Sequence, residues 1–406
     1  MRSAGALLTR RGRLLLVLGG ALYVAAWAFG SQALFPVAIG FLLAVLLSAL
    51  SVHAAARPMA YRRRASSAEH VEGDDVVVDV ELEPSGPLGL TSVSVVERLT
   101  RLGERRIPLR RQGCVLHGRY VLRSVRRGRY ALDDATAVVE DPFGLEQGRV
   151  TLPEQGALLV LPRIVELDLL FSESGPRAHD GRRLLLRRPS GFDVHSVREY
   201  EEGESLRKVH WKTTARRGQL MVKELQDEPR DEVAILLDAD ARSVAGDSFD
   251  AQVRAAGSLL RTQVLRDRRA VLVVNSLRQE VVHVQTALGE WRQALETLAA
   301  VEPTGQVPLA ALLVDDSGPA ARAFELAVVT SRLDAALVDR VVHRSLGQRR
   351  VSVVYVDAPT FAGARSSREP GLLRLQASGV PVAVVRRGDD LRLVLGAAMR
   401  AESARA

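Results

Sequence analysis

Two apolar runs open the chain, about Leu14–Phe29 and Leu34–Val52, with only Gly30-Ser31-Gln32-Ala33 between them. An α-helix needs about 20 apolar residues to cross the hydrocarbon of a bilayer. The second run reaches that length. The first reaches it when its Tyr23 and Trp27 end sits in the interface, where aromatic rings are favoured. A cleaved signal peptide is the competing reading, because Arg10, Arg11 and Arg13 precede an apolar core. Against it, a second apolar run follows at once, as a helical hairpin requires. Arg2, Arg10, Arg11 and Arg13 flank one outer end, and Arg57, Arg62, Arg63 and Arg64 flank the other. The positive-inside rule then predicts both ends in the cytoplasm. The expectation is a two-pass protein of the inner or plasma membrane, with the bulk of the chain cytoplasmic.

Beyond the hairpin the apolar period changes to two. Val76-Val77-Val78-Asp79-Val80-Glu81-Leu82 and Thr91-Ser92-Val93-Ser94-Val95-Val96 alternate as half-buried strands do. Gly118-Arg119-Tyr120-Val121-Leu122 and Gly128-Arg129-Tyr130-Ala131-Leu132 follow at a ten-residue spacing, which predicts neighbouring strands. With Gly and Pro punctuation throughout, a small antiparallel β-sandwich is expected. Asp141-Pro142-Phe143-Gly144-Leu145 reads as a structured turn, in which Asp caps, Pro fixes φ and Gly permits an unusual backbone angle.

At 406 residues the chain exceeds one compact core. The pattern predicts a transmembrane hairpin over 1–65, the sandwich over 66–165, a basic linker over 166–190, and an α/β domain over 191–400. The linker reading rests on the Gly, Pro and Arg content of 172–190; contact of its arginines with anionic lipid is the weaker alternative. The net charge of +8 predicts an anionic neighbour, membrane or nucleic acid. Aromatic residues are only 4%, which argues against a base-stacking surface, so no nucleic-acid partner is expected. The single cysteine, Cys114, excludes an internal disulfide and is expected as a small buried residue on a strand.

From 233 onward, apolar runs alternate with helical stretches. Val233–Leu237, Val271–Val274, Leu326–Val329, Val351–Val356 and Val382–Val385 read as buried parallel strands. Helices are expected near Phe249–Leu265, Ala287–Val301, Leu333–Leu346 and Leu372–Ser378. Such alternation predicts a doubly wound sheet whose sites lie at the carboxyl ends of the strands.

From Gly191 to Asp240, polar, aromatic and cationic side chains are interleaved most densely. Of 56 Lys and Arg residues only Lys208, Lys212 and Lys223 are lysines, and all three fall here. Lysine is a compact hydrated point charge and arginine a planar fork, so the clustering points to a site that needs point charges; drift in an Arg-biased genome is the plainer account. Arg198, Tyr200, Gly203, Arg207, Trp211, Ala215 and Arg216 carry a resemblance to the signature of the bacterial domain-of-unknown-function family fifty-eight, a pattern like G-x-E-F-x-x-x-R-x-Y-x-x-G-D-x-x-R-x-I-x-W-x-x-x-A-R. Glu204 replaces the usual Asp, and Asp193-Val194 replaces Glu-Phe. The family has no established reaction. Its members tend to accompany MoxR-type AAA+ ATPases, so the resemblance implies such a partner and an adaptor role.

The order of elements, with a strand ending in Asp238, also resembles a von Willebrand factor type A domain, which usually holds a divalent metal through D-x-S-x-S. Here the run is Asp238-Ala239-Asp240-Ala241-Arg242, with both serine positions lost. No metal and no other cofactor is expected, and the guanidinium of Arg242 is placed to stand in for the ion. Thr330-Ser331-Arg332-Leu333-Asp334 only loosely matches the second ligand set.

Catalytic constellations are sparse. Ser205 and Lys208 have the serine–lysine spacing of penicillin-binding enzymes, without the companion motifs. No phosphate-cradling Gly-Lys loop occurs. His210 is a general-base candidate without an acid partner at a convincing spacing, and packing beside Trp211 explains it as well. A short helix is expected over Ser205–Arg216, with Arg207, Trp211 and Thr214 on one face and Lys208, Lys212 and Arg216 on another. One reading of these charges is an internal lattice with Glu199, Glu201 and Glu204. The other is a partner-binding platform, since Trp and Arg are the usual anchors of interfaces. The expected function is a membrane-anchored cytoplasmic adaptor, with an enzyme (hydrolase or nuclease) built on the Arg198–Arg216 cluster as the alternative.

Overall fold

The computed structural model describes residues 7–67, 69–173, 196–199, 211–224, 232–285, 288–314, 318–347, 349–366 and 368–396. The chain divides into two units, Met1–Leu161 and Pro162–Ala406.

The first unit begins with a short strand, β1 (Leu7–Leu8), then helices α1 (Arg10–Phe29) and α2 (Leu34–Ala55). Both helices are long and apolar enough to cross a membrane. Thr9 caps α1 by accepting the Gly12 amide, and Gly30 ends it with φ +63°, a left-handed angle that glycine takes without a Cβ clash. Four-residue spacing between the helices lets them pack antiparallel, and Tyr23 meets Phe35 edge to face at 5.4 Å.

Two antiparallel sheets follow. One holds β2 (Met59–Ala65), β4 (Val76–Pro84), β7 (Arg110–Gln112) and β8 (Val115–Leu122), in the order β2-β4-β8-β7. The other is eight-stranded. It is built from β1, β3 (His70–Val71), β5 (Ser92–Leu99), β6 (Gly103–Pro108), β9 (Gly128–Leu132), β10 (Ala135–Glu140), β11 (Glu146–Leu152) and β12 (Gly156–Leu161). Its β12–β3 pairing is parallel and the rest are antiparallel. Alternate residues of both sheets meet in shared cores: Leu82 and Leu116 of the small sheet join Val93, Val95, Ala137 and Leu152 of the large one. The two Gly-Arg-Tyr repeats therefore do not neighbour each other. Gly118–Leu122 lies in the four-stranded sheet and Gly128–Leu132 in the eight-stranded one. Cys114 is exposed, contrary to expectation, because it occupies the two-residue turn between β7 and β8 beside Gly113 at φ +65°.

Glu97 lies 1% exposed between the sheets. Its carboxylate accepts the Tyr61 and Tyr120 hydroxyls and the Arg63 Nε at 2.9 Å. Burial, then the Glu97 contact, pushes both phenols well above their usual range. A buried charge is tolerable when it is paired and hydrogen-bonded in this way, and removing one partner strands the others. We expect Glu97→Ala to lower the unfolding free energy of the full chain in detergent micelles by about 3–5 kcal/mol. A loss within about 0.5 kcal/mol, the scale of an ordinary surface change, would show that the cluster is not a keystone.

In the second unit a six-stranded sheet runs β17 (Val281–Val284), β16 (Ala270–Val274), β15 (Val233–Leu237), β18 (Glu325–Thr330), β19 (Arg350–Val356), β20 (Val382–Val385). All pairings are parallel except β16–β17. The antiparallel edge strand β17 alternates exposed and buried residues and was not among the expected strands. The other five expected strands and the four expected helices are present within a few residues. Helices cover both faces. Ser248–Leu265 and Leu288–Ala300 pack on the side of Ile235 and Leu237, while Ala335–Leu346 and Pro370–Ala377 pack on the side of Ala234 and Leu236. Leu167 and Leu170, within the span read as linker, are buried in the first of these cores. A separate two-stranded ribbon pairs β13 (Ser196–Glu199) with β14 (Met221–Glu224).

Candidate functional site

Polar side chains gather where β15, β16 and β18 end. All five residues of β15 are buried, so the first group free to be polar is Asp238, 4% exposed. Its backbone amide donates to the Val329 carbonyl, holding the turn to β18. One carboxylate oxygen accepts the Asp240 amide at 3.1 Å and the other the Thr330 hydroxyl at 2.7 Å. Asp240 faces Arg242, which donates Nη2 at 2.7 Å, Nε at 3.0 Å and its own amide at 2.9 Å. The Ser243 hydroxyl donates to the Asp240 carbonyl, the Ser331 hydroxyl to the Ser243 carbonyl, and Gln252 Nε2 to Ser331 Oγ. Gly305 donates its amide to the Ala239 carbonyl at 2.7 Å, and a Cβ there would collide with the Asn275 carbonyl oxygen.

The two carboxylates are driven apart in acidity. Burial raises Asp238, and the hydrogen bonds from Thr330, the Asp240 amide and Asn275 offset part of that. The Arg242 hydrogen bonds hold Asp240 below the usual carboxylate range. A divalent ion at this strand end would need free oxygens from Asp238 and Asp240 and hydroxyls nearby. Both oxygens of Asp240 are taken by a guanidinium, both of Asp238 by Thr330 and backbone, and the residue that would supply the last hydroxyl is Arg242. The donor set does not fit the metal. Sequence reasoning singled out Asp238, Asp240 and Arg242 but left aside the lock formed by Gln252, Ser243 and Ser331, which Gln252, inside an apolar helix, is the one signal for.

Of the signature residues, Tyr200, Gly203, Glu204, Arg207, Lys208 and His210 lie outside the described residues. Arg198 is in β13, paired with Val222, and Lys223 is in β14, paired with Val197. Trp211, Lys212 and Arg216 belong to the helix Trp211–Arg217, and Ser205–His210 of the expected helix lie outside the described residues. All three are exposed, Trp211 by 64%. Gly218 at φ +70° turns the chain out of this helix, and Thr214 Oγ1 accepts the Met221 amide at 3.0 Å, fixing the helix to β14. Met221 is 1% exposed, so the ribbon is rooted while Trp211 faces outward.

This geometry coincides with a known sequence family. Residues 196–357 match the family described as protein of unknown function DUF58. The match covers this segment, 162 of the chain's 406 residues. The uncharacterized protein YeaD of Bacillus subtilis (strain 168) is 22% identical over 276 residues, which cover 68% of this chain and 67% of that protein. Among solved structures, the uncharacterized protein lmo2446 of Listeria monocytogenes EGD-e is 12% identical over 26% of this chain and 10% of that one, with a TM-score of 0.19. Cwp6 of Clostridium difficile is 8% identical over 81% and 37% of the two chains, with a TM-score of 0.15. The chain thus spans under half of either solved protein, and neither likeness carries a fold assignment.

The acidity of Asp238 has a measurable consequence. A carboxyl raised on folding binds its proton more tightly in the folded state, so its contribution is fullest below the unfolded pKa near 3.8 and is lost as pH rises through the folded value. Asp238→Asn keeps an acceptor for Thr330 and removes that loss. Thermal unfolding from pH 3.5 to 7 should show the variant gaining on the parent as pH rises. A constant offset at every pH would exclude Asp238 as the titrating group.

Proposed function

We propose that this DUF58 chain is a membrane-anchored cytoplasmic adaptor that works with a MoxR-type AAA+ ATPase in protein-complex assembly or envelope-related processes. In this reading α1 and α2 form a two-pass hairpin, the paired sheets are a β-sandwich, and the six-stranded unit is a von Willebrand factor type A-like domain that has exchanged its metal for an internal cation. One observation carries the reading. At the strand end where such folds place their chemistry, both carboxylates are committed to partners within the chain, whereas Trp211, Lys212 and Arg216 stand exposed on a rooted helix. Exposed Trp beside cationic groups is the composition of a binding anchor. Lys212 and Arg216, four apart, share a helix face.

The test is binding of a purified MoxR-type ATPase by full-length protein in nanodiscs. Lys208→Glu with Lys212→Glu should weaken binding about tenfold, equivalent to about 1.4 kcal/mol, and leave the thermal transition in place. Unfolding of the double variant would instead assign these lysines to an internal salt-bridge lattice. Hydrolytic turnover by the purified chain, lost in the variant, would make the segment an active site and end the adaptor reading.

A further inference from the structure

We infer that the first unit rests on the membrane through two apolar loop tips, Phe143 and Leu90, which insert beside the helical hairpin at the headgroup boundary. The inference rests on the proposal that α1 and α2 span a bilayer, and adds a lipid-binding surface on the sheets themselves. Ser92 of β5 pairs with Glu140 of β10, so the residues before Ser92 and after Glu140 emerge at one end of the large sheet. The same end carries β1, with Leu8 opposite Glu146, and through it the start of α1. At this end Phe143 is 71% exposed and Leu90 88%.

Both loops are fastened to the hairpin rather than hanging free. Asp141, 3% exposed, accepts the Leu145 amide at 2.6 Å, the Glu146 amide at 3.1 Å, the Phe143 amide at 3.2 Å and the Ser48 hydroxyl of α2 at 3.1 Å. Thr9 donates its hydroxyl to the Gly144 carbonyl at 2.6 Å and its amide to the Leu145 carbonyl at 3.0 Å. Gly12 of α1 lies so close to the Leu145 carbonyl that a Cβ would collide with it. On the other side, Leu88 shares a core with Ala55 and Met59, and the Arg57 side chain lies against Gly86.

These contacts set a depth. Ser48 lies four residues before Val52, where the apolar run ends, and at 1.5 Å per residue that is about 6 Å inside it. Amphipathic elements lying in the interface bury their apolar side to about 5–10 Å. A loop tied both to Ser48, just inside the second run, and to Gly12, two residues outside the first, is held at the boundary of the apolar segment. Its lateral neighbours on the hairpin, Leu14, Leu47 and Leu50, are exposed to the same surroundings. Arg10, Arg11, Arg13 and Arg57 are exposed around the same end, suited to anionic headgroups.

The test uses full-length protein in nanodiscs containing anionic lipid, with Cys114→Ser as background. Single cysteines replace Phe143, Leu90, Leu43 in the middle of α2 or Arg105 on β6, each carrying a polarity-sensitive fluorophore. The labels at 143 and 90 should shift to the blue and lose most of their emission to nitroxides held near the headgroups. The label at 43 should be quenched by nitroxides deep in the acyl chains, and the label at 105 by neither. If 43 is quenched while 143 and 90 stay water-exposed, the hairpin spans the bilayer but the loop tips do not insert, and this inference fails alone. If 43 is not quenched either, the membrane reading fails with it. Blue-shifted labels at 143 and 90 that lipid nitroxides do not quench would mean that protein covers the tips, which also overturns the inference.

Discussion

A strand whose side chains are buried on both faces can hold polar chemistry only past its end. β15 is such a strand, with Val233–Leu237 fully enclosed and bonded to β16 on one side and β18 on the other. Its residues divide alternately between the two cores, Ala234 and Leu236 to one, Ile235 and Leu237 to the other. The register therefore resists slipping, because a one-residue shift would exchange which side chains meet which helices. Everything polar at the carboxyl edge inherits its position from this: Asp238 follows directly, the loop through Arg242 folds over it, and Asn275 and Thr330 arrive from the flanking strands.

What distinguishes this edge is that its charges are satisfied from within. A bidentate guanidinium–carboxylate contact is directional and takes up both oxygens of Asp240. Arg242 itself remains largely exposed, so the pair adds little stability. Its effect is on ligand chemistry. An ion arriving at Asp240 must displace a tethered cation whose effective concentration is high. The lock of Gln252, Ser331 and Ser243 then holds the backbone of this loop whether or not anything binds nearby.

The α/β unit was legible in the sequence because parallel strands covered on both faces read as unbroken apolar runs, as Val233–Leu237 and Val382–Val385 do. β17 was missed for the converse reason. It is four residues long, antiparallel and half-exposed, with His283 interrupting the apolar pattern. Local period also fails to say which sheet a strand joins: the repeat at Gly118 and Gly128 suggested neighbours, yet the chain crosses between sheets at Ser124, where φ is +46°. Cys114 was misplaced because composition favours a buried thiol, while Gly113 requires a turn. At the site, Asp238, Asp240 and Arg242 were visible through their spacing and the Thr330–Asp334 loop only as a loose match, whereas Gln252, 14 residues from Asp238 in sequence, meets Ser331 of that loop only through the fold.

Sequence distance likewise hides the second partner of the aspartate in the Asp141–Leu145 turn. Read locally, it is a cap on a tight turn, and Gly144 does take φ +66° there. A turn alone, however, has no use for a fourth donor from Ser48, 93 residues earlier, nor for a glycine at 12 that admits the Leu145 carbonyl. An ionised carboxylate has about four lone-pair sites, and burial makes each empty one costly. Three are filled by the turn itself. The remaining one is filled by α2, which makes the complete turn contingent on the helix being in place. The coupling runs both ways, since Ser48, buried on a mostly apolar helix, finds its acceptor in Asp141. The hairpin and the sheets of the first unit are thus joined by a polar contact that neither satisfies alone, and the joint is what holds Phe143 at a fixed height on the helix.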